Sequence, residues 1–333
     1  MKKFLFIAAM ASVALVSCVK NEVIPVNEEG QEITYLTSPV TKADFGATNV
    51  FASWAFFTPT DWATDKATAA VYDEIGGVTI SKNTSGEWKE DEKSHYWPKA
   101  GKLSFFAYSL NNDDLKNNSD AAMTGIFTCT AANGITATGY DVNTDKNVDF
   151  LVAKPIKDAT RTTDNYLTNG VPTVFEHKLA QVVFTIQTAA DYSATQTFKL
   201  NSITLKNLET TGTYTQLASP TWSNHSGEVV TTSFSNTETN FGNSVVTPAA
   251  AQSLYLPQDF DDNETVTISY TVTPVGGGAP VTYAPSTKLS EIFTSGWTEG
   301  TIYTCAITVG LEEIKWNPSV AEWASETGSW SIN

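Results

Sequence analysis

His95, His177 and His225 are the only histidines among 333 residues, and they are scattered. A general base or a metal centre needs such side chains gathered with a partner. Their spacing gathers none, so each reads as a surface or strand-edge residue. The sequence also holds no Gly-x-Ser-x-Gly elbow, no His-Glu-x-x-His helix, no phosphate loop and no Gly-x-Gly-x-x-Gly turn. Oxygen-bearing side chains alternate from Asp141 through Asn143, Asp145 and Asn147 to Asp149, as at the start of a calcium loop. Lys146 stands where the turn glycine belongs and Val152 where the bidentate acid belongs, so the stretch reads as a polar loop entering a strand. Asp259, Asp261, Asp262 and Glu264 form a second acidic cluster whose plain explanation is solvation. Nine tryptophans could stack on sugars, but Trp54 and Trp97 sit among apolar neighbours and read as core. The expectation is a protein that is no enzyme and carries no metal and no cofactor.

One pattern does carry chemistry, and it lies at the start. Lys2 and Lys3 precede an apolar run from Phe4 to Val16, which ends in Leu15-Val16-Ser17-Cys18. The run is too short to span a bilayer and suits the h-region of a signal peptide. Its end resembles a bacterial lipobox. That resemblance implies cleavage between Ser17 and Cys18, and acylation of Cys18. Each buried methylene of a lipid contributes about 0.8 kcal/mol, so several chains anchor firmly. The alternative is an ordinary signal peptide with an incidental cysteine. The other two cysteines, Cys129 and Cys305, share a face with apolar neighbours in alternating segments and read as structural thiols.

The charge balance narrows the partners. There are 20 basic and 36 acidic side chains, for a net charge of −16, and Arg161 is the only arginine. Such a surface repels nucleic acid and anionic membrane.

The elements that must carry these residues are strands. The 48 threonines favour a pleated, half-exposed surface. Residues 19–32 are polar and read as a tether, followed by a short β-like run over 33–40 and a break at Thr41–Asp44. Residues 49–58 are dense in aromatics and read as a buried strand, and residues 102–110 read the same way. The second half alternates with period two: Val182, Phe184 and Ile186; Ile203 and Leu205; Val266, Ile268, Tyr270 and Val272; then 302–309. Gly276-Gly277-Gly278 between Pro274 and Pro280 predicts a hairpin. Helical spacing is confined to short stretches near Leu115 and Val320. The reading is all-β, with two antiparallel β-sandwich domains in tandem. The expected divisions are 1–17 signal peptide, 18–42 tether and early strand, 43–165 first sandwich and 166–333 second sandwich.

Several segments in order resemble the fimbrillin family of lipoprotein pilins. These are Tyr96-Trp97-Pro98 running into Leu103-Ser104-Phe105-Phe106-Ala107-Tyr108; Asp149-Phe150-Leu151-Val152-Ala153; Phe175-Glu176-His177-Lys178-Leu179-Ala180; Leu256-Pro257-Gln258; and Trp297-Thr298-Glu299-Gly300-Thr301 with Trp316 and Trp323 behind it. The resemblance implies transthyretin-like sandwiches. It also implies a precursor strand within residues 33–42 that is removed by a cut between Lys42 and Ala43. An arginine is common at that position in the family, and this chain has Lys42. A donor strand from the C-terminus of another subunit would then fill the opened groove. The implied partners are other pilin subunits, self or related, and the outer membrane through lipid on Cys18. The implied location is the outer membrane and an extracellular fimbrium. The alternative is a surface lipoprotein that does not polymerise and binds a host glycan or protein.

Overall fold

The structure is a computed structural model and describes residues 31–37, 50–110, 125–142, 148–163, 166–229, 232–233, 239–248, 252–311 and 313–323. In chain order the first strands are β1 (Tyr35–Leu36), β2 (Phe51–Thr58), β3 (Ala70–Lys82), β4 (Trp88–Glu90), β5 (Lys102–Ser109), β6 (Phe127–Thr130), β7 (Gly134–Asp141), β8 (Leu151–Ala153), β9 (Ile156–Ala159), β10 (Val171–Pro172) and β11 (Phe175–His177). They continue as β12 (Ala180–Thr188), β13 (Gln196–Lys206), β14 (Leu208–Thr215), β15 (Trp222–Val229), β16 (Thr232–Ser233), β17 (Thr239–Phe241), β18 (Gln252–Tyr255), β19 (Thr265–Pro274), β20 (Val281–Tyr283), β21 (Ser286–Lys288), β22 (Thr301–Val309) and β23 (Ile314–Glu322). Single helical turns at Trp62–Asp65, Tyr166–Asn169 and Leu289–Ile292 link them.

The first sheet runs β10-β1-β4-β3-β2-β5-β8-β11, with β9 also on β5. Strands β2 and β5 are buried on both faces, which is why they lack alternation in sequence. Phe51, Ala55, Leu103 and Phe105 enter one core. Ala52, Phe56, Phe106 and Tyr108 enter another, closed by the sheet β15-β14-β7-β6 through Ile135, Tyr140, Tyr214 and Trp222. That second sheet draws two strands from before residue 165 and two from well after it. β10 and β11 also lie beyond residue 165, where the sequence reading starts the second sandwich. They pair in the first sheet because Val171 and Phe175 belong to its core.

The remaining sheets, β18-β12-β22-β23 and β16-β13-β19-β20 with β17 and β21, enclose a third core. β19 follows its pattern, with Val266, Ile268 and Tyr270 buried. In β13 the buried residues are Phe198 and Leu200, then Ile203 and Leu205. A register shift between Leu200 and Ser202 absorbs one residue and returns the later pair to the same face. The glycine-rich turn joins β19 to β20, with Tyr270 opposite Tyr283.

Two differences from the sequence reading are physical. β12 and β22 pair in parallel over their full lengths, Ala180 with Thr301 through Thr188 with Val309, and β1 pairs in parallel with β10. Both alternating strands bury one face, a pattern that does not report direction. Val320 lies in strand β23 and is 62% exposed, so its spacing is that of an edge strand and not of a helix.

Candidate strand-accepting site

Residues 31–37 form one extended segment seated in the first sheet. Tyr35 pairs antiparallel with Trp88 and in parallel with Val171, and Leu36 continues beside Pro172. Hydrogen bonds flank the pairing on both sides. Trp97 N–H donates to the Gln31 carbonyl at 3.0 Å, and Ile33 N–H donates to the His95 carbonyl at 2.7 Å. Val171 N–H donates to the Thr34 carbonyl at 2.7 Å, and Thr173 N–H to the Leu36 carbonyl at 2.8 Å.

Alternation selects what enters the core. Ile33 and Tyr35 are buried, while Leu36 is 41% exposed. The Tyr35 ring meets Phe51 edge-on at 5.4 Å and Phe105 at 6.0 Å. Its hydroxyl accepts from Ser53 Oγ at 3.0 Å. Burial pushes the Tyr35 phenol well above its ordinary value. Burying a large apolar side chain is worth about 1.5–3 kcal/mol, so these two residues are the segment's main apolar anchors.

Glu32 accepts from Lys89 Nζ at 2.9 and 3.1 Å and from Ser94 Oγ at 2.6 Å. Burial alone would raise its carboxyl. The hydrogen bonds from Ser94 and Lys89 outweigh it and hold the group below the ordinary carboxylate range. Gly170 closes the other side at φ +81°, where a Cβ would stand 2.7 Å from the Tyr35 carbonyl carbon. The bare α-carbon therefore permits the close approach.

The residues singled out for chemistry fall elsewhere. Ser17, Cys18, Lys42 and Ala43 lie outside the described residues, as do residues 143–147 of the Asp141–Asp149 loop and the stretch around Leu115. Two histidines depart from the expected surface position. His95 and His177 are buried. His95 Nδ1 lies 3.0 Å from Asp73 and its Nε2 lies 2.5 Å from Glu90. His177 Nδ1 lies 2.5 Å from Asp149, and its ring stacks on Trp323 with centroids 3.6 Å apart. Asp73 and Asp149, each distant in sequence from the ring it meets, join the nearby Glu90 in drawing these rings inside, a partnership that local spacing does not reveal. His225 is half-buried, 3.3 Å from Glu209.

Cys305 is buried and Cys129 half-buried, both free thiols. Burial pushes Cys305 up to about 12 and raises Cys129 in the same direction. Trp97 is fully buried and Trp54 partly so. Among the described residues no group of three His, Cys, Asp or Glu side chains could hold a metal ion. Sequence reasoning pointed to the early strand but missed Gly170, Ser53, Glu32 and His95. The positive φ, the close backbone approach and the cross-strand contacts exist only once β10, β2 and β4 are assembled.

A family model described as fimbrillin-like matches residues 40–323. Among solved structures, the chain is similar to a fimbrial protein from Bacteroides vulgatus, with TM-score 0.63 and 15% identity, covering 88% of this chain and 100% of that one. It is also similar to a candidate cell adhesion protein from Bacteroides uniformis, with TM-score 0.50 and 15% identity over 89% of this chain and 100% of that one. The tip fimbrial protein Mfa3 from Porphyromonas gingivalis matches at TM-score 0.41 and 12% identity, covering 88% and 100%. No curated protein matches the sequence significantly.

Proposed function

Because this chain belongs to the fimbrillin-like family, we propose that it is a structural subunit of a cell-surface fimbria, exported as a lipoprotein precursor and assembled by strand exchange. Its role is mechanical, and it performs no catalysis. Ser17-Cys18 is the export cleavage site, and lipid on Cys18 holds the precursor at the outer membrane. A surface protease then cuts between Lys42 and Ala43 and frees residues 31–37 from the first sheet.

The observation that carries this reading is the seat of that segment. It supplies a strand between β4 and β10 of the first sheet, with Ile33 and Tyr35 as plugs. Its departure would bare the backbone of β4 and β10 together with the apolar walls formed by Phe51 and Phe105. An opened edge of this kind recruits another strand, because its unpaired backbone groups are a template for pairing and its apolar groove is unfavourable in water. Each such contact is head-to-tail, so repetition gives a filament.

The donor on this reading is the C-terminal strand of a second subunit. β23 is the outer strand of its sheet and is largely exposed. Glu313-Ile314-Lys315-Trp316 repeats the order acid, isoleucine, polar, aromatic of Glu32-Ile33-Thr34-Tyr35. A strand with that order would offer an acid to Lys89, an aliphatic group to the Ile33 pocket and an aromatic ring to Phe51 and Phe105.

N-terminal sequencing of the surface-extracted protein tests the proposal. A start at Ala43, together with ladders on gels run without boiling, supports it. A monomeric surface form still blocked at an acylated Cys18 would overturn assembly and favour a non-polymerising lipoprotein. A Lys42→Ala chain should remain monomeric, and a Cys18→Ser chain should lose labelling by a palmitate analogue.

A further inference from the structure

We infer that His95 is the positioning residue that sets how firmly residues 31–37 are held, acting as the peg of the short stretch 94–97 along their edge. This stretch makes most of the segment's contacts on that side. The His95 carbonyl takes the Ile33 N–H, Ser94 Oγ binds Glu32, Tyr96 bridges Glu32, and Trp97 N–H binds the Gln31 carbonyl. The stretch is neither helix nor sheet for most of its length, so something other than a ladder must fix it.

The fixing comes from the His95 ring. It is buried between Asp73 Oδ2 of β3 at 3.0 Å and Glu90 Oε2 of β4 at 2.5 Å. β3 bulges at this point, with Asp73 at φ 44° and Glu74 at φ 65°. A bulge re-aims side chains, and here it brings both acids to the 93–95 stretch. Lys93 Nζ binds Glu74 at 2.8 Å and the Asp73 carbonyl at 3.3 Å. Tyr72 hydroxyl donates to the Tyr96 carbonyl at 2.7 Å. The strain of two non-glycine residues at positive φ is thus tied to the same short stretch.

The ring is thus gripped at both nitrogens by acids from two neighbouring strands, and the His95 carbonyl that holds Ile33 is fixed with it. For a precursor segment that must stay put until it is cut, this grip sets its retention. That consequence rests on the strand-exchange proposal above.

Hydrogen exchange of the intact chain, corrected for intrinsic rates, tests the inference through peptides covering 31–37, with β13 and β19 as internal reference. His95→Gln should lower protection of 31–37 by about tenfold while the reference holds, the size expected for loss of one hydrogen bond to a charged group. Glu90→Ala, which removes one of the two acids that grip the ring, should lower protection in the same peptides, and Glu90→Gln should restore it, because an amide can donate to or accept from the ring nitrogen. Unchanged protection in His95→Gln, or equal protection in Glu90→Ala and Glu90→Gln, would overturn the inference. If His95→Gln also exposes β13 and β19, the Glu90 pair decides alone. None of these measurements needs cleavage at Lys42, so a chain that is never processed would sink the fimbrial proposal and leave the peg standing.

Discussion

Gly170 and Tyr35 meet backbone to backbone. A Cβ on Gly170 would stand 2.7 Å from the Tyr35 carbonyl carbon and 2.9 Å from its oxygen, inside any real contact distance. The early strand therefore reaches its place beside β10 only because residue 170 has no side chain. Gly170→Ala should push residues 34–36 outward and strain φ +81°, at a cost of about 1–3 kcal/mol. Denaturant unfolding measures the loss, and faster amide exchange confined first to residues 33–36 would locate it.

Tyr35 is held by shape and by one hydrogen bond, and the two can be separated. Tyr35→Phe removes only the partner of Ser53 Oγ and should lower stability by about 1 kcal/mol. Tyr35→Ala also empties the space beside Phe51 and Phe105 and should lower it by about 3–5 kcal/mol. Equal effects in the two variants would mean that the ring does not anchor the segment.

Acid should loosen the seat by a separate route. The Glu32 carboxyl is held below its ordinary value by Ser94 and Lys89 against the opposing effect of burial. A depressed carboxyl contributes stability at pH values above its unfolded pKa and loses it as the pH falls through the folded one. Protection of residues 31–37 should therefore decline below about pH 4.5 and be lost progressively under stronger acid. Glu32→Gln should remove this limb. An acid limb retained in Glu32→Gln would assign it to another group.

The two halves should unfold together. β7 pairs with β14, Tyr140 opposite Gly212 and Ala137 opposite Tyr214, so one sheet spans both. Buried Lys178 adds to the joint through Glu299 at 3.0 Å, while its carbonyl accepts from Trp222 Nε1 at 2.8 Å. Calorimetry should give a single transition, and Lys178→Ala should lower its midpoint by an amount equivalent to about 1–3 kcal/mol. Two separated transitions would contradict the shared sheet.

The thiols give a simple probe of packing. Burial pushes Cys305 up to about 12, so it should resist alkylation at pH 8 in the folded chain and react only on unfolding. Reaction of Cys305 at the rate of a free thiol would place β22 outside the core.

Much of this molecule is legible in one dimension. The aromatic-dense runs at 49–58 and 102–110 announce buried strands, and the alternation at 265–273 announces one covered on a single face. The order of short motifs, from Tyr96-Trp97-Pro98 to Trp297-Thr298-Glu299, identifies the family whose model matches the chain. The pull of Ile33 and Tyr35 toward an apolar environment is equally local, because alternate residues of a strand share a face.

Neighbour choice is not local, and there the chain needed its tertiary structure. A half-buried strand has the same alternation whichever way its partner runs, so nothing in Val182-Phe184-Ile186 reveals that β22 lies parallel to it. The same limit hides the pairing of β7 with β14, the carboxylates that draw His95 and His177 inside, and the glycine that clears a path for Tyr35. Periodicity and composition fix which faces must leave water. Which surfaces then meet is decided by complementarity between segments far apart in the chain, a property of the assembled shape that no single segment contains.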